Sequence, residues 1–212
     1  WNLIVVGDKK TPKDYKLQKG LYLSPEDQET LDKDLSDSIG WNCIQRRNFG
    51  ILKAVYLGAD IIATIDDDNI PLENWGKDIL IDTEGSYKTF NGSLIAFDPI
   101  FPSEYKNIWH RGFPIQLLNK RNYSFSFEII TPQIQADFWN GDPDIDAICR
   151  MEHQPNCKFD DKIFPFSSKI FSPFNSQNTI ISKSVVKDYF LFPHIGRMDD
   201  IWASVDVESK GY

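Results

Sequence analysis

The sequence predicts an α/β domain with a mainly parallel sheet flanked by helices, and three neighbouring segments predict it. Leu3-Ile4-Val5-Val6 is a short β-branched run closed by the loop Gly7-Asp8-Lys9-Lys10-Thr11-Pro12. Ile44, Ile51, Leu52, Val55 and Tyr56 recur at helical spacing, so residues 42–57 read as an amphipathic helix ended by Gly58. A second apolar run, residues 59–65, then reads as a buried strand. Such a β-α-β progression implies parallel strands joined by a right-handed crossover.

The remaining elements follow in order. Ser24-Pro25-Glu26-Asp27 opens a helix, with a Ser cap, Pro at the first helical position and acids in the first turn. It is expected to run to about Asp37 as a solvated face. The second half is less regular, with strands predicted at 93–97 and 124–130 between Pro and Gly breaks. No repeat or linker divides the 212 residues, which predicts one domain over 1–212. The chain opens at Trp1 and enters a strand almost at once, so it reads as a piece of a longer chain, with any anchor or partner domain outside it.

Composition narrows the function. A hydrophobic content of 41% with 14% aromatics fits a globular protein, and a net charge of −8 argues against a nucleic-acid or anionic-membrane surface. Local phosphate binding through a metal, a few Arg or backbone N–H groups stays open. Cys43, Cys149 and Cys157 lack metal-finger spacing, which predicts reduced thiols and a cytoplasmic compartment. No apolar run has the length of a membrane span.

The strand at 59–65 ends in Asp66-Asp67-Asp68-Asn69-Ile70-Pro71. Adjacent carboxylates repel one another and are expensive to desolvate, and a hard cation such as Mg²⁺ or Mn²⁺ relieves both, often sharing oxygen ligands with substrate phosphates. Ligands of open α/β sheets also bind beyond the carboxyl ends of strands. The simpler alternative is an acidic turn in water. Two further clusters share this character: Trp139-Asn140-Gly141-Asp142-Pro143-Asp144-Ile145-Asp146-Ala147 and His194-Ile195-Gly196-Arg197-Met198-Asp199-Asp200-Ile201-Trp202. Helix caps and turns explain each singly. Three acid clusters able to converge on one cleft favour a site.

These residues carry a resemblance. Val6–Pro12, Arg46-Arg47-Asn48-Phe49-Gly50-Ile51-Leu52 and Ile65–Asn69 resemble successive motifs of the STELLO glycosyltransferases. Arg111-Gly112-Phe113-Pro114, the Gly141–Ala147 segment and Gly196–Trp202 are also similar to motifs of the plant reversibly glycosylated polypeptides, which act on UDP-arabinose as mutases. The resemblance implies a GT-A type nucleotide-diphospho-sugar fold and glycosyl transfer from a nucleotide-diphospho-sugar, most simply a UDP-sugar, to a carbohydrate or glycan hydroxyl. It also implies Mn²⁺ or Mg²⁺ at Asp66 and Asp68. STELLO proteins are membrane-anchored in the Golgi, and this chain shows no such anchor. The mutase-like proteins carry an Arg tied to self-glycosylation shortly after the Arg-Gly segment. An ungapped count places Leu118 there, with Lys120 and Arg121 just beyond, which favours a separate acceptor over a mutase.

The individual residues then take expected roles. Asp8 and Lys10 stand at the nucleotide end of the first strand, where Asp8 accepts from uracil or ribose or is simply a turn residue. Arg46 or Arg47 pairs with the diphosphate, since Arg grips phosphate bidentately. Asp66 and Asp67 are expected at the nucleotide, Asp66 and Asp68 reach the ribose and metal, and His194 is a possible further metal ligand. Asp144, Asp146 and Arg197 are expected at the donor, and Trp139 and Trp202 stack on a sugar face or are core. Asp199 or Asp200 is the candidate general base, with Asp200 slightly preferred. Rival readings are a nucleotidyltransferase, whose basic Gly-rich phosphate loop Gly7-Asp8-Lys9-Lys10 matches poorly, and an inactive sugar-binding scaffold, which an intact acid triad disfavours.

Overall fold

The structure, a computed structural model, describes residues Trp1–Tyr212. The chain opens with β1 (Ile4–Val6) and β2 (Leu21–Leu23), paired in parallel with Ile4 opposite Leu21. A Cβ on Gly7 would lie 2.2 Å from the Tyr22 hydroxyl, so any larger residue at the end of β1 would have to displace the Tyr22 ring. Helix α1 (Pro25–Leu31) begins in a reciprocal capping box, in which the Asp27 N–H donates to Ser24 Oγ and the Ser24 N–H to Asp27 Oδ2. The single helix expected to Asp37 is two helices. Asp32 is extended, ends α1 and caps α2 (Lys33–Ile39) by accepting the Leu35 N–H at 2.8 Å. Its short side chain competes for backbone donors, which is why Asp favours caps over helix interiors.

A 3₁₀ turn at Ile44–Arg46 leads into α3 (Arg47–Tyr56), and Gly58 at φ +79° turns the chain out of it. Gly50 brings α3 against Val6 of β1, where a Cβ would approach to 2.8 Å. Strand β3 (Ile61–Ile65) follows. Then come β4 (Gly85–Asn91), β5 (Ser124–Ile130) and β6 (Ile134–Ala136), helix α4 (Ala147–Glu152), β7 (Phe166–Ser168), β8 (Asn178–Ser182), the short α5 (Lys183–Val186) and α6 (Asp199–Ser209). Strand β5 matches its expected bounds, whereas residues 93–97 form an irregular segment that buries Ala96 and Phe97 without joining a sheet.

The mainly parallel sheet is corrected. There are three sheets, and most pairings are antiparallel. Strand β8 lies between β3 and β6 and runs antiparallel to both. Strand β4 lies between β5, antiparallel, and β7, parallel. Strands β1 and β3 flank α3 in sequence yet belong to different sheets. Apolar periodicity marks a buried strand but not the direction or origin of its partner, and β3 finds its partner in the second half of the chain. The packing nonetheless serves the site. Ile62, Ile181, Val185, Leu191, Ala203 and Val207 form one core joining β3, β8, α5 and α6, which fixes the end of β3 relative to the start of α6.

Candidate active site

The carboxyl end of β3 is tied directly to the start of α3. Arg47, the first residue of α3, donates to the Ile65 carbonyl at 3.2 Å and ion-pairs with Asp66. Its other terminal nitrogen reaches Ser176, at 2.7 Å to the carbonyl and 2.6 Å to Oγ. The Ser176 N–H in turn donates to Asp200 Oδ2 at 3.1 Å. Asp200, in the first turn of α6, faces Arg111, which donates to both its oxygens at 2.7 and 2.8 Å. Arg111 also grips Asp144 at 2.8 and 2.9 Å and reaches the Arg197 carbonyl at 2.8 Å. All five guanidinium N–H donors are thereby used. One network, Asp66–Arg47–Ser176–Asp200–Arg111–Asp144, joins segments spread across the whole chain.

Local backbone geometry makes this possible. Gly112 has φ +91°, and a Cβ there would stand 2.7 Å from Ile201 and 2.9 Å from Pro173. Only glycine lets the Arg111 segment lie this close to α6. A backbone bridge between His110 and Ile145, with the Arg111 N–H donating to the Asp144 carbonyl at 3.2 Å, sets Arg111 and Asp144 side by side.

The acids in this network differ electrostatically. Burial pushes the Asp200 carboxyl up, but the hydrogen bonds and charge of Arg111, with N–H groups of Ser176 and Ile201, outweigh it and hold Asp200 below the usual range. Asp199 goes the other way, raised first by burial and then by the charge of Asp200, and its Oδ2 is buried without a partner. Burial lowers Arg111, yet its two carboxylates dominate and hold it firmly charged.

Beside the network opens a cleft of about 1940 Å³ lined by Asp68, Arg111, Trp139, Asp144, Asp146 and Arg197, among others. Asp66, Asp199 and Asp200 are not among the lining residues, Asp199 and Asp200 being buried, while Asp67 and Asp68 are exposed. Trp139 is half-buried, its Nε1–H donating to the Asp142 carbonyl at 2.7 Å, and Asp146 also caps α4.

Other expected residues are placed elsewhere. Arg46 is 2% exposed and turned inward, donating to Gln28 Oε1 at 2.8 Å, to Ser36 Oγ at 3.1 Å and to the Ser36 and Gly40 carbonyls, with the Trp41 ring 3.6 Å from its guanidinium. It joins α1, α2 and the 42–46 turn rather than facing the cleft. Asp8 accepts N–H groups from Lys9, Asn42 and Cys43 at 2.6, 2.9 and 3.2 Å and so orders that loop, while Lys10 is exposed beside it. His194, at φ +67°, shares a 2.8 Å hydrogen bond with the Ser38 carbonyl at the end of α2, away from the acid triad. Trp202 is 52% exposed and outside the cleft lining.

The donor set bears on a metal. No three His, Cys, Asp or Glu side chains are grouped to cage an ion, and Asp66 is committed to Arg47. The exposed Asp68 carboxylate on the cleft wall suits Mg²⁺ or Mn²⁺, which bind through one or two carboxylates completed by substrate phosphates. The residues fit a metal that arrives with its substrate.

Two residues at the site have no role legible in the local sequence. Arg111 stands in the Arg-Gly segment, but its two carboxylate partners lie 33 and 89 positions away. Glu208 had no signal at all: it lines the far wall of the cleft, accepts the Ser172 N–H at 3.0 Å, and burial without any cation pushes it up to about 8. The position matching the self-glycosylated Arg falls in the 3₁₀ segment Ile115–Lys120, and the adjacent Arg121 is engaged with buried Asp98 at 2.7 Å and with the Ile108 and Lys106 carbonyls.

No family model matches the chain. Over 204 residues it is 24% identical to Probable glycosyltransferase STELLO2 and to Probable glycosyltransferase STELLO1, both of Arabidopsis thaliana. Each match covers 87% of this chain but only 27% and 26% of the relatives, so the chain spans about a quarter of their length. The resemblance carried by the motifs thus extends along most of the chain: it is similar to two probable glycosyltransferases of the STELLO type.

Proposed function

We propose that the chain transfers a glycosyl group from a nucleotide-diphospho-sugar, a UDP-sugar, to the hydroxyl of a separate carbohydrate acceptor. The observation that carries this reading is the Asp66–Arg47–Ser176–Asp200–Arg111–Asp144 network, which gathers the acid motifs beside one cleft. Similarity to two probable glycosyltransferases supports it. The engagement of Arg121 with Asp98 supports a separate acceptor over self-glycosylation.

Asp68 would hold a divalent cation, with Asp66 next to it, and Asp67 would face the nucleotide. When bound there, such a cation would neutralise charge on the diphosphate leaving group. Arg47 holds Asp66 in place at the end of β3, and Trp139, Asp144, Asp146 and Arg197 line the cleft, where they would meet the donor sugar. The candidate base is the Asp199–Asp200 pair, which the Arg111 contact ties to the cleft wall. Asp200, clamped by Arg111, is the weaker base of the two, and Asp199, raised by burial and by the charge of Asp200, is the stronger. Arg111 is a positioning residue, because it orients Asp200 and Asp144 together.

Thermal unfolding with UDP tests the reading. Ligand at 100 times its Kd stabilises by about 2.7 kcal/mol through mass action. UDP raises the melting temperature strongly with Mn²⁺ or Mg²⁺ and weakly in EDTA, and Asp68→Ala removes the difference. Equal shifts with and without metal overturn the metal-dependent donor site.

A further inference from the structure

Strands β3 and β6 both run antiparallel to β8, so they are parallel to each other and end at the same edge of their sheet. Strand β3 leads into the Asp66–Asp68 acids, and β6 leads into Asp137. The register is continuous across that edge. Asn178 of β8 stands opposite Ile65 of β3, and on its other side its carbonyl accepts the Asp137 N–H at 2.9 Å. Residues opposite one another in a sheet point to the same face. Ile65, Asn178 and Asp137 therefore form one row, and all three line the cleft that Asp68 also lines. With two strand spacings of ~4.8 Å between them, Asp137 stands roughly 10 Å across the cleft floor from the end of β3.

The Asp137 carboxyl is held in place but largely unused. Gln135, on the same face two residues earlier, donates from Nε2 to both its oxygens at 3.0 and 3.2 Å. Gln135 is itself pinned, accepting the Leu80 N–H at 2.9 Å and donating to the Asp78 carbonyl at 3.2 Å. A carboxylate has about four lone-pair sites, so each oxygen keeps one free. No cation balances the charge: burial pushes Asp137 up, and only the Gln135 amide pulls it back. Trp75 lines the same cleft and is fixed by its Nε1–H, which donates to Asn178 Oδ1 at 2.9 Å. A rigid, partly desolvated acceptor near an indole suits a ligand that brings several O–H donors on a carbon ring.

We propose that Asp137 accepts hydrogen bonds from hydroxyls of the donor sugar and thereby sets which nucleotide sugar the cleft takes. This rests on the reading of the cleft as a nucleotide-sugar site. Under that reading the cation and diphosphate belong at Asp68, and the sugar, joined directly to the diphosphate, lies on the floor between Asp68 and Asp137. The acceptor hydroxyl is assigned to the Asp199–Asp200 pair, which leaves Asp137 for the donor. A site built to hydrogen-bond a substrate hydroxyl rejects analogues that lack or misplace it, because its own buried polar group is then left unpaired.

Titration calorimetry with Mn²⁺ tests this on the wild type, Asp137→Asn and Asp137→Ala, comparing UDP with UDP-glucose, UDP-galactose, UDP-xylose and UDP-arabinose. Both variants are expected to weaken the preferred UDP-sugar by about 10–100-fold, the loss of a hydrogen bond to a charged group, and to lose the preference among the four. Their affinity for UDP itself and their melting temperatures stay at the wild-type level. Asp60→Asn, exposed at the opposite end of β3, changes neither affinity. Equal losses for UDP and the UDP-sugars would make Asp137 a nucleotide-binding or structural residue and overturn the proposal. Unchanged donor affinity and preference overturn it as well, including where the KM for an acceptor rises. Wild-type protein that binds neither UDP nor any UDP-sugar, with or without Mn²⁺, overturns the nucleotide-sugar reading itself, and this assignment with it.

Discussion

At the scale of single residues, neighbouring acids of the same type have opposite electrostatics because of what they touch. Asp200 sits in the fork of Arg111 and is held ionised, while Asp199, one residue earlier, is raised by burial and by Asp200 itself. If Asp199 takes the acceptor proton, Asp199→Asn keeps UDP binding and loses transfer by about 10²–10⁴-fold. Wild-type activity then rises with pH through the raised Asp199 carboxyl. Asp200→Asn instead leaves Arg111 short of a carboxylate and lowers stability by up to about 3–5 kcal/mol, the range for breaking one side of a buried pair. Transfer kinetics, titration calorimetry and denaturant unfolding separate the two. Unchanged turnover in both variants removes them from the chemistry. Arg46 and Arg47 teach the same lesson. They are adjacent and equally basic in sequence, yet a turn of about 100° per residue at the start of α3 sends Arg46 into the α1–α2 core and Arg47 to the end of β3.

At the scale of elements, the site depends on how closely the Arg111 segment and the Pro173 segment approach α6. Gly112 is where that approach is tightest. Gly112→Ala forces a side chain into the left-handed region and into Ile201, and is expected to destabilise by about 1–3 kcal/mol. Transfer activity falls more than this loss alone predicts, because Arg111 moves with its neighbour. Gly141, also at positive φ (+94°), has open space around it and serves as a control. Gly141→Ala bears the backbone strain without the clash. Chemical denaturation beside transfer kinetics for both variants checks the claim, and equal losses in the two would show that packing against α6 is unimportant. The helix starts were legible: Ser24 and Pro25 announce α1. The break at Asp32 was not, since Asp is tolerated within a helix until its side chain finds a free N–H.

At the scale of the whole molecule, the cleft wall carries a carboxyl with no cation to balance it. Glu208 is raised to about 8 in the folded chain by burial, against an ordinary 4.5. The folded state therefore binds more protons than the unfolded one between those values, so stability is fully present below about 4.5 and is lost as pH rises to about 8. Glu208→Gln removes this slope and is the more stable form at pH 8, by roughly 2–4 kcal/mol. Unfolding curves of both proteins at pH 5, 6.5 and 8 test it, and parallel pH profiles refute it. The sequence by itself determined which segments are apolar and periodic, where α1 begins and α3 ends, the extent of β5, and that acids cluster at Asp66–Asp68, Asp142–Asp146 and Asp199–Asp200. Those are local properties, written in spacing and side-chain type. The start of α3 moved from about residue 42 to Arg47, because Ile44–Arg46 forms a 3₁₀ turn. Only the tertiary structure decided that β3 pairs with β8 instead of β1, that Arg47 and not Arg46 meets Asp66, and that Arg111 binds Asp144 and Asp200 at once. Strand direction, side-chain facing and the sharing of one cation by two acids are contacts between residues 19 to 121 positions apart, and no local pattern encodes them.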